Sequence, residues 1–85
     1  MNNKYQIFLI SDSTGETLDR IFLALQSQFT NFNYEKKEFV FTRTEQQIAN
    51  ILKECKEKSN SIILYTIVDT GLAKHLAAQC LKNNI

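Results

Sequence analysis

A chain of 85 residues forms one domain at most, and a domain of that size buries only about 60% of the surface its unfolded form exposes, so any core is thin. The composition, 44% hydrophobic and 22% charged, excludes a disordered segment, while ten Lys plus Arg against nine Asp plus Glu supply no general field for nucleic acid or an anionic membrane. The longest apolar runs, Ile7 to Ile10 and Ile62 to Val68, fall far short of the roughly 20 residues of a membrane span, and no signal-peptide pattern follows Met1, so a cytoplasmic location is expected.

The first predicted element is a strand at Tyr5 to Ser11 (YQIFLIS), whose apolar, β-branched and aromatic content suits a strand covered on both faces. It runs into the turn formers Asp12-Ser13-Thr14-Gly15. Beyond them Leu18, Ile21, Phe22, Leu25 and Phe29 recur three and four apart, which predicts a helix to near Asn31, and Ser13-x-x-Glu16 fits a capping box at its start. Glu38 to Thr42 (EFVFT) reads as the second strand. Thr44-x-x-Gln47 is a second capping-box pattern, ahead of a helix with Ile48, Ile51, Leu52 and Cys55 on its buried stripe. Ser61 to Val68 (SIILYTIV) is the most hydrophobic segment and hence the expected central strand. Asp69 or Thr70 then caps a third helix with Leu72, Ala73, Leu76, Ala77, Cys80 and Leu81 on its apolar side.

Strands alternating with helices in the order βαβαβα imply a parallel sheet with right-handed crossovers, half of a doubly wound, Rossmann-like α/β domain. The pattern occupies residues 1–85 without a second domain, and it reads as truncated, because three strands leave the sheet edges open. Cys55 and Cys80 lack a CxxC or Cys/His cluster and are expected to be small core residues, neither metal ligands nor a disulfide.

In such sheets ligands bind beyond the carboxyl ends of the strands, and all three predicted ends are polar. At the first, Ser11, Ser13 and Thr14 offer hydroxyls, Gly15 offers flexibility, and the following helix offers its N-terminal amides, which together suit a phosphate. Asp12 opposes that reading by its charge, and simple helix capping by Ser13 and Glu16 is the structural alternative. Arg43 at the second strand end would pair with a phosphate or carboxylate, or else with Asp12 or Glu45 as a surface residue. Asp69 at the third is a candidate acid, base or metal ligand and equally a good N-cap. His75 has no partner implied by spacing and reads as a packing or surface residue, and the Lys/Glu mixture of residues 35–58 reads as a solvated surface. With glycines only at 15 and 71, the chain encodes neither GxxxxGK[ST] nor GxGxxG, so no complete nucleotide loop is present and no residue is assigned as catalytic.

The segment Phe8-Leu9-Ile10-Ser11-Asp12-Ser13-Thr14-Gly15-Glu16-Thr17 resembles the N-terminal signature of the pyruvate, phosphate dikinase regulatory proteins, a family that includes the phosphoenolpyruvate synthase regulatory proteins. The similarity continues through Arg43-Thr44 and Leu64-Tyr65-Thr66-Ile67-Val68-Asp69. The resemblance implies a bifunctional serine/threonine kinase and phosphorylase. Such an enzyme uses ADP to phosphorylate a threonine of a dikinase or synthase, switching it off, and uses inorganic phosphate to remove the group as pyrophosphate. It also implies a longer chain with a glycine-rich phosphate loop of the G-x-S-R-x-x-K-T type further on, so the present chain alone is expected to be inactive. Ser11, Asp12, Ser13, Thr14, Gly15, Arg43 and Asp69 match the family pattern and would line the carboxyl edge of the sheet. The residues alone leave two other readings, a flavodoxin-like or receiver-like module that binds an anion or a partner without catalysis, and a marginal polypeptide with no function of its own.

Overall fold

The computed structural model describes residues 4–28, 33–58 and 60–83. Within them run β1 (Lys4–Ser11), α1 (Glu16–Gln26), β2 (Asn33–Phe39), α2 (Glu45–Lys56), β3 (Ser61–Thr66) and α3 (Thr70–Lys82), the βαβαβα succession expected of a Rossmann-like α/β fold. The strands form one parallel sheet in the order β2-β1-β3, with Ile7 of β1 opposite both Lys36 and Ile62.

The pleat of β1 divides the core into two layers. Phe8 and Ile10 point to one face, where they are buried with Ile48, Ile51, Leu52 and Cys55 of α2 and Leu76 of α3. Ile7 and Leu9 point to the other, where among the described residues they are buried with Leu18 and Phe22 of α1, flanked by Tyr34 and Leu64. Successive crossovers that step in opposite directions from β1 put their helices on opposite faces when both are right-handed, and this is the arrangement found.

Four expectations are corrected. The central strand is β1, not the Ser61 to Val68 segment, which ends as a strand at Thr66 and pairs with β1 alone among the described residues. Hydrophobicity reports how much of a strand is built to be covered, and β1, with Ile7 to Ile10 all buried, meets that condition here, whereas Ile62 and Tyr65 of β3 are exposed. The second strand is Asn33–Phe39 rather than Glu38 to Thr42. Its charged stretch Glu35-Lys36-Lys37-Glu38 gives no burial signal because the strand lies at an edge with most side chains in solvent. Val40 and Phe41, apolar by composition, belong to the loop and are exposed. On α1 only Leu18 and Phe22 are buried, while Ile21 and Leu25 lie outside the narrow strip the sheet covers; Phe29 and Asn31 fall outside the described residues. Finally, no Ser13/Glu16 capping box forms, because the N-cap is Gly15, in the left-handed region at φ 88° and without a side-chain hydrogen bond.

Cys55 is buried and Cys80 packs against the same layer, as expected of core cysteines. Burial pushes the Cys55 thiol up from 9.0 to about 12, with neighbouring Cys80 and Glu54 adding to the effect, and burial also raises Cys80. The folded state therefore keeps a proton that the unfolded chain releases near pH 9. This stabilisation is complete below that pH and is lost as pH rises toward 12, at up to about 1.4 kcal/mol per pH unit. Urea denaturation of the wild type and Cys55→Ala between pH 8 and 11 should show the steeper alkaline decline in the wild type.

Candidate functional site

In a sheet of order 2-1-3 the crossovers diverge between β1 and β3, and ligands of doubly wound proteins bind outside the carboxyl ends of the strands at such a point. Here β1 leads into α1 on one face and β3 into α3 on the other, so the loops after Ser11 and Thr66 turn to opposite faces of the sheet at this point.

The β1 loop is braced from both sides. Ser11, the last residue of β1, is buried; its Oγ accepts from the Ser13 amide (3.1 Å) and lies 3.3 Å from Ser13 Oγ, while its carbonyl accepts from the Thr42 amide (2.9 Å). Asp12 ties the loop to β3: its amide donates to the Thr66 carbonyl (3.3 Å) and its Oδ2 accepts from the Val68 amide (2.7 Å). Its carbonyl accepts from Arg43 Nε (3.0 Å), and the Ser13 carbonyl accepts from the Phe41 amide (3.0 Å). The three polar strand ends singled out in the sequence thus converge. Asp12 acts as a cross-loop acceptor within that convergence. Asp12→Ala should leave the Val68 amide without its acceptor, lower stability by about 1 kcal/mol, and speed hydrogen exchange at Val68.

Arg43 reaches the backbone of Asp12 and not its carboxylate, and its guanidinium lies 5.1 Å from the centroid of the Phe41 ring. Phe41 stands at φ 53°, a conformation a bulky residue rarely adopts and one that costs on the order of 1–3 kcal/mol unless its surroundings enforce it. They do so here: the Phe41 amide is held by Ser13, its carbonyl accepts from Gln47 Nε2 (3.2 Å), and Gln47 Oε1 accepts from the amides of Arg43 (2.6 Å) and Thr44 (3.0 Å). Gln47 completes the Thr44 capping box foreseen in the sequence and, in addition, anchors the loop that presents Arg43. Phe41 and Gln47 were not distinguishable as loop braces in the sequence, since an apolar run and a capping box are each ordinary; only the strained φ signals the former.

The helix termini at these loops differ. α2 is capped by Thr44, whose Oγ1 accepts from the Gln47 amide (3.1 Å), and α3 by Asp69, whose Oδ1 accepts from the Leu72 amide (2.9 Å). Asp69 therefore takes the capping role that was one of its two readings. α1 begins at Gly15 with no side chain on its first amides, directly after the exposed Ser13 and Thr14. Those amides and hydroxyls, with the partial positive end of the helix, form a donor-rich edge, while Glu16 and Asp19 in the first turn and Asp12 beside it contribute negative charge.

His75 is half-buried on α3, with Nδ1 3.7 Å from Glu45 of α2. It borders a recess of about 810 Å³ between α2 and α3, which runs from Glu45 at the start of α2 to Lys53, Lys56 and Lys82. Among the described residues no helix is long and apolar enough to cross a membrane.

The fold and loop cluster define a doubly wound α/β protein with its polar loops gathered at the switch point of the sheet. The kinase/pyrophosphorylase family profile matches residues 7–85, and the chain belongs to that family. Curated relatives include proteins provisionally named pyruvate, phosphate dikinase regulatory protein. The one from Pelagibacter ubique is 64% identical over 77 residues, 91% of this chain and 28% of the relative. The one from Halothermothrix orenii is 36% identical over 85 residues, 100% of this chain and 31% of the relative. The chain thus spans less than a third of the length of these relatives. No solved structure matches it.

Proposed function

We propose that this chain supplies the phosphate-facing loop edge of a cytoplasmic regulatory kinase and pyrophosphorylase whose protein substrate is a pyruvate, phosphate dikinase or a phosphoenolpyruvate synthase. In one direction ADP gives its terminal phosphoryl group to a threonine hydroxyl, leaving AMP and a proton. In the other, inorganic phosphate takes the group back from the phosphothreonine, restoring the hydroxyl and forming pyrophosphate. Each step breaks one P–O bond and forms another, with negative charge on the transferred group that positioned donors must stabilise.

The observation that carries the reading is the start of α1, uncapped beside Ser13 and Thr14 where α2 and α3 are capped. Its amides, the hydroxyls of Ser13 and Thr14, the small Gly15 and the guanidinium of Arg43 would contact phosphate oxygens, with Ser11 and Asp12 holding the loop in shape. The acidic groups nearby suit a phosphate that arrives with a cation, as ADP does with magnesium. The glycine-rich loop expected of the family would come from the remaining part of a family-length protein, so the chain alone is expected to transfer no phosphoryl group.

A chimera in which this chain replaces the matching part of the Pelagibacter ubique relative tests the assignment. Incubated with ADP labelled in its terminal phosphate, a folded chimera should label a threonine of purified dikinase, and Arg43→Ala should cut the rate at least tenfold. A folded chimera that labels no dikinase or synthase overturns the proposal.

The flavodoxin-like binding module remains the second reading because the 2-1-3 strand order is the one it anticipates. It differs in requiring phosphate binding without any transfer by the chimera.

A further inference from the structure

The two edges of the sheet are built differently. The β2 edge carries four consecutive charged residues, Glu35 to Glu38, with Lys36 paired to Glu38 (3.4 Å) and Lys37 to Glu54 of α2. Charges of this kind are how proteins keep an edge from recruiting another strand. The β3 edge, SIILYT, carries none. Ile62 and Tyr65 are exposed on its two faces, and Val68 just beyond it is 86% exposed.

α3 carries the same asymmetry. Leu72, Leu76 and Cys80 face the core layer, and His75, Gln79 and Lys82 line the recess shared with α2. At about 100° per residue, Ala73, Ala77 and Leu81 then fall on the opposite flank, turned away from α2. That flank is apolar along its length and ends in Leu81, which is 82% exposed.

Handedness says what belongs there. α3 leaves β3 on the face that α2 occupies, and a right-handed crossover on that face continues in the direction of the β2-to-β3 step, to the far side of β3. We infer that the β3 edge and the Ala73–Ala77–Leu81 flank receive a strand parallel to β3 together with its helix. The occupant is the part of a kinase/pyrophosphorylase that this chain, covering 28% of the Pelagibacter ubique relative, does not represent. The inference rests on family membership and reads association, so it stands or falls apart from the phosphoryl-transfer proposal.

Co-expression of this chain with the unmatched part of the Pelagibacter ubique relative, as two separately tagged polypeptides, should give a 1:1 complex by light scattering. Ile62→Lys or Leu81→Glu should weaken it at least tenfold with the circular dichroism of this chain unchanged, and Lys36→Glu on the β2 edge should leave it intact. Two folded pieces that do not associate, a complex indifferent to Ile62→Lys and Leu81→Glu, or pairing of two copies of this chain through β3 would each overturn the inference. Should the second polypeptide not fold alone, hydrogen exchange in the chimera decides. β3 amides should be at least tenfold better protected there than in the isolated chain, and equal protection overturns it.

Discussion

Replacing Phe22 by Ala is expected to cost about 3–5 kcal/mol and to leave the chain largely unfolded at 37 °C. Among the described residues, Phe22 and Leu18 are the only side chains of α1 buried against Ile7 and Leu9, so each carries a large share of this layer. The Phe22 ring also packs edge-on against Tyr34 at 5.6 Å and lies 5.4 Å from the Lys36 ammonium, tying α1 to the β2 edge. The opposite layer draws on two helices, α2 and α3, and should tolerate an equivalent truncation better. Urea denaturation followed by circular dichroism checks the difference; a Phe22→Ala cost below about 1 kcal/mol would mean that α1 is not held as described.

Gly15→Ala is the second large effect, about 1–3 kcal/mol from backbone strain. Gly15 sits at φ 88°, and a Cβ there would lie 3.2 Å from Val40 Cγ1, so the new methyl would also press on the β2 loop. Gly15→Asn separates the two causes, since Asn tolerates positive φ better than Ala while bringing the same Cβ. If backbone conformation dominates, Asn is milder in a urea titration; if the Val40 contact dominates, the two variants fall together. Either substitution shifts the entry of α1, so phosphate affinity should drop along with stability.

Much of the architecture was readable because it depends on local signals. The buried run of β1, the turn formers at residues 12–15, the Thr44–Gln47 box and the Asp69 cap are each set by neighbours in sequence. What was not readable depends on partners far along the chain. β2 is polar because of where it lies in the sheet, which its own residues do not state. The choice of Gly15 over Ser13 as N-cap follows from the Ser13 hydroxyl and amide turning back to Ser11, and from its carbonyl taking the Phe41 amide. The bond from Asp12 to the Val68 amide joins residues 56 apart, and no periodicity reports it. Of the seven candidate site residues, Ser11 closes β1 and the other six lie on the converging loops, yet Asp12 and Asp69 engage backbone amides, Ser11 is buried, and the exposed donors are Ser13, Thr14 and Arg43.

A two-dimensional amide NMR titration of this chain with phosphate, then with ADP and magnesium, tests most directly whether the start of α1 is the anion-holding edge proposed above. Saturable shifts confined to Ser13 to Leu18 and the Arg43 loop, weakened by Arg43→Ala, are the predicted result. Shifts centred on the α2/α3 recess around Lys53, Lys56 and Lys82, or a folded chain with no saturable shifts at all, would contradict it.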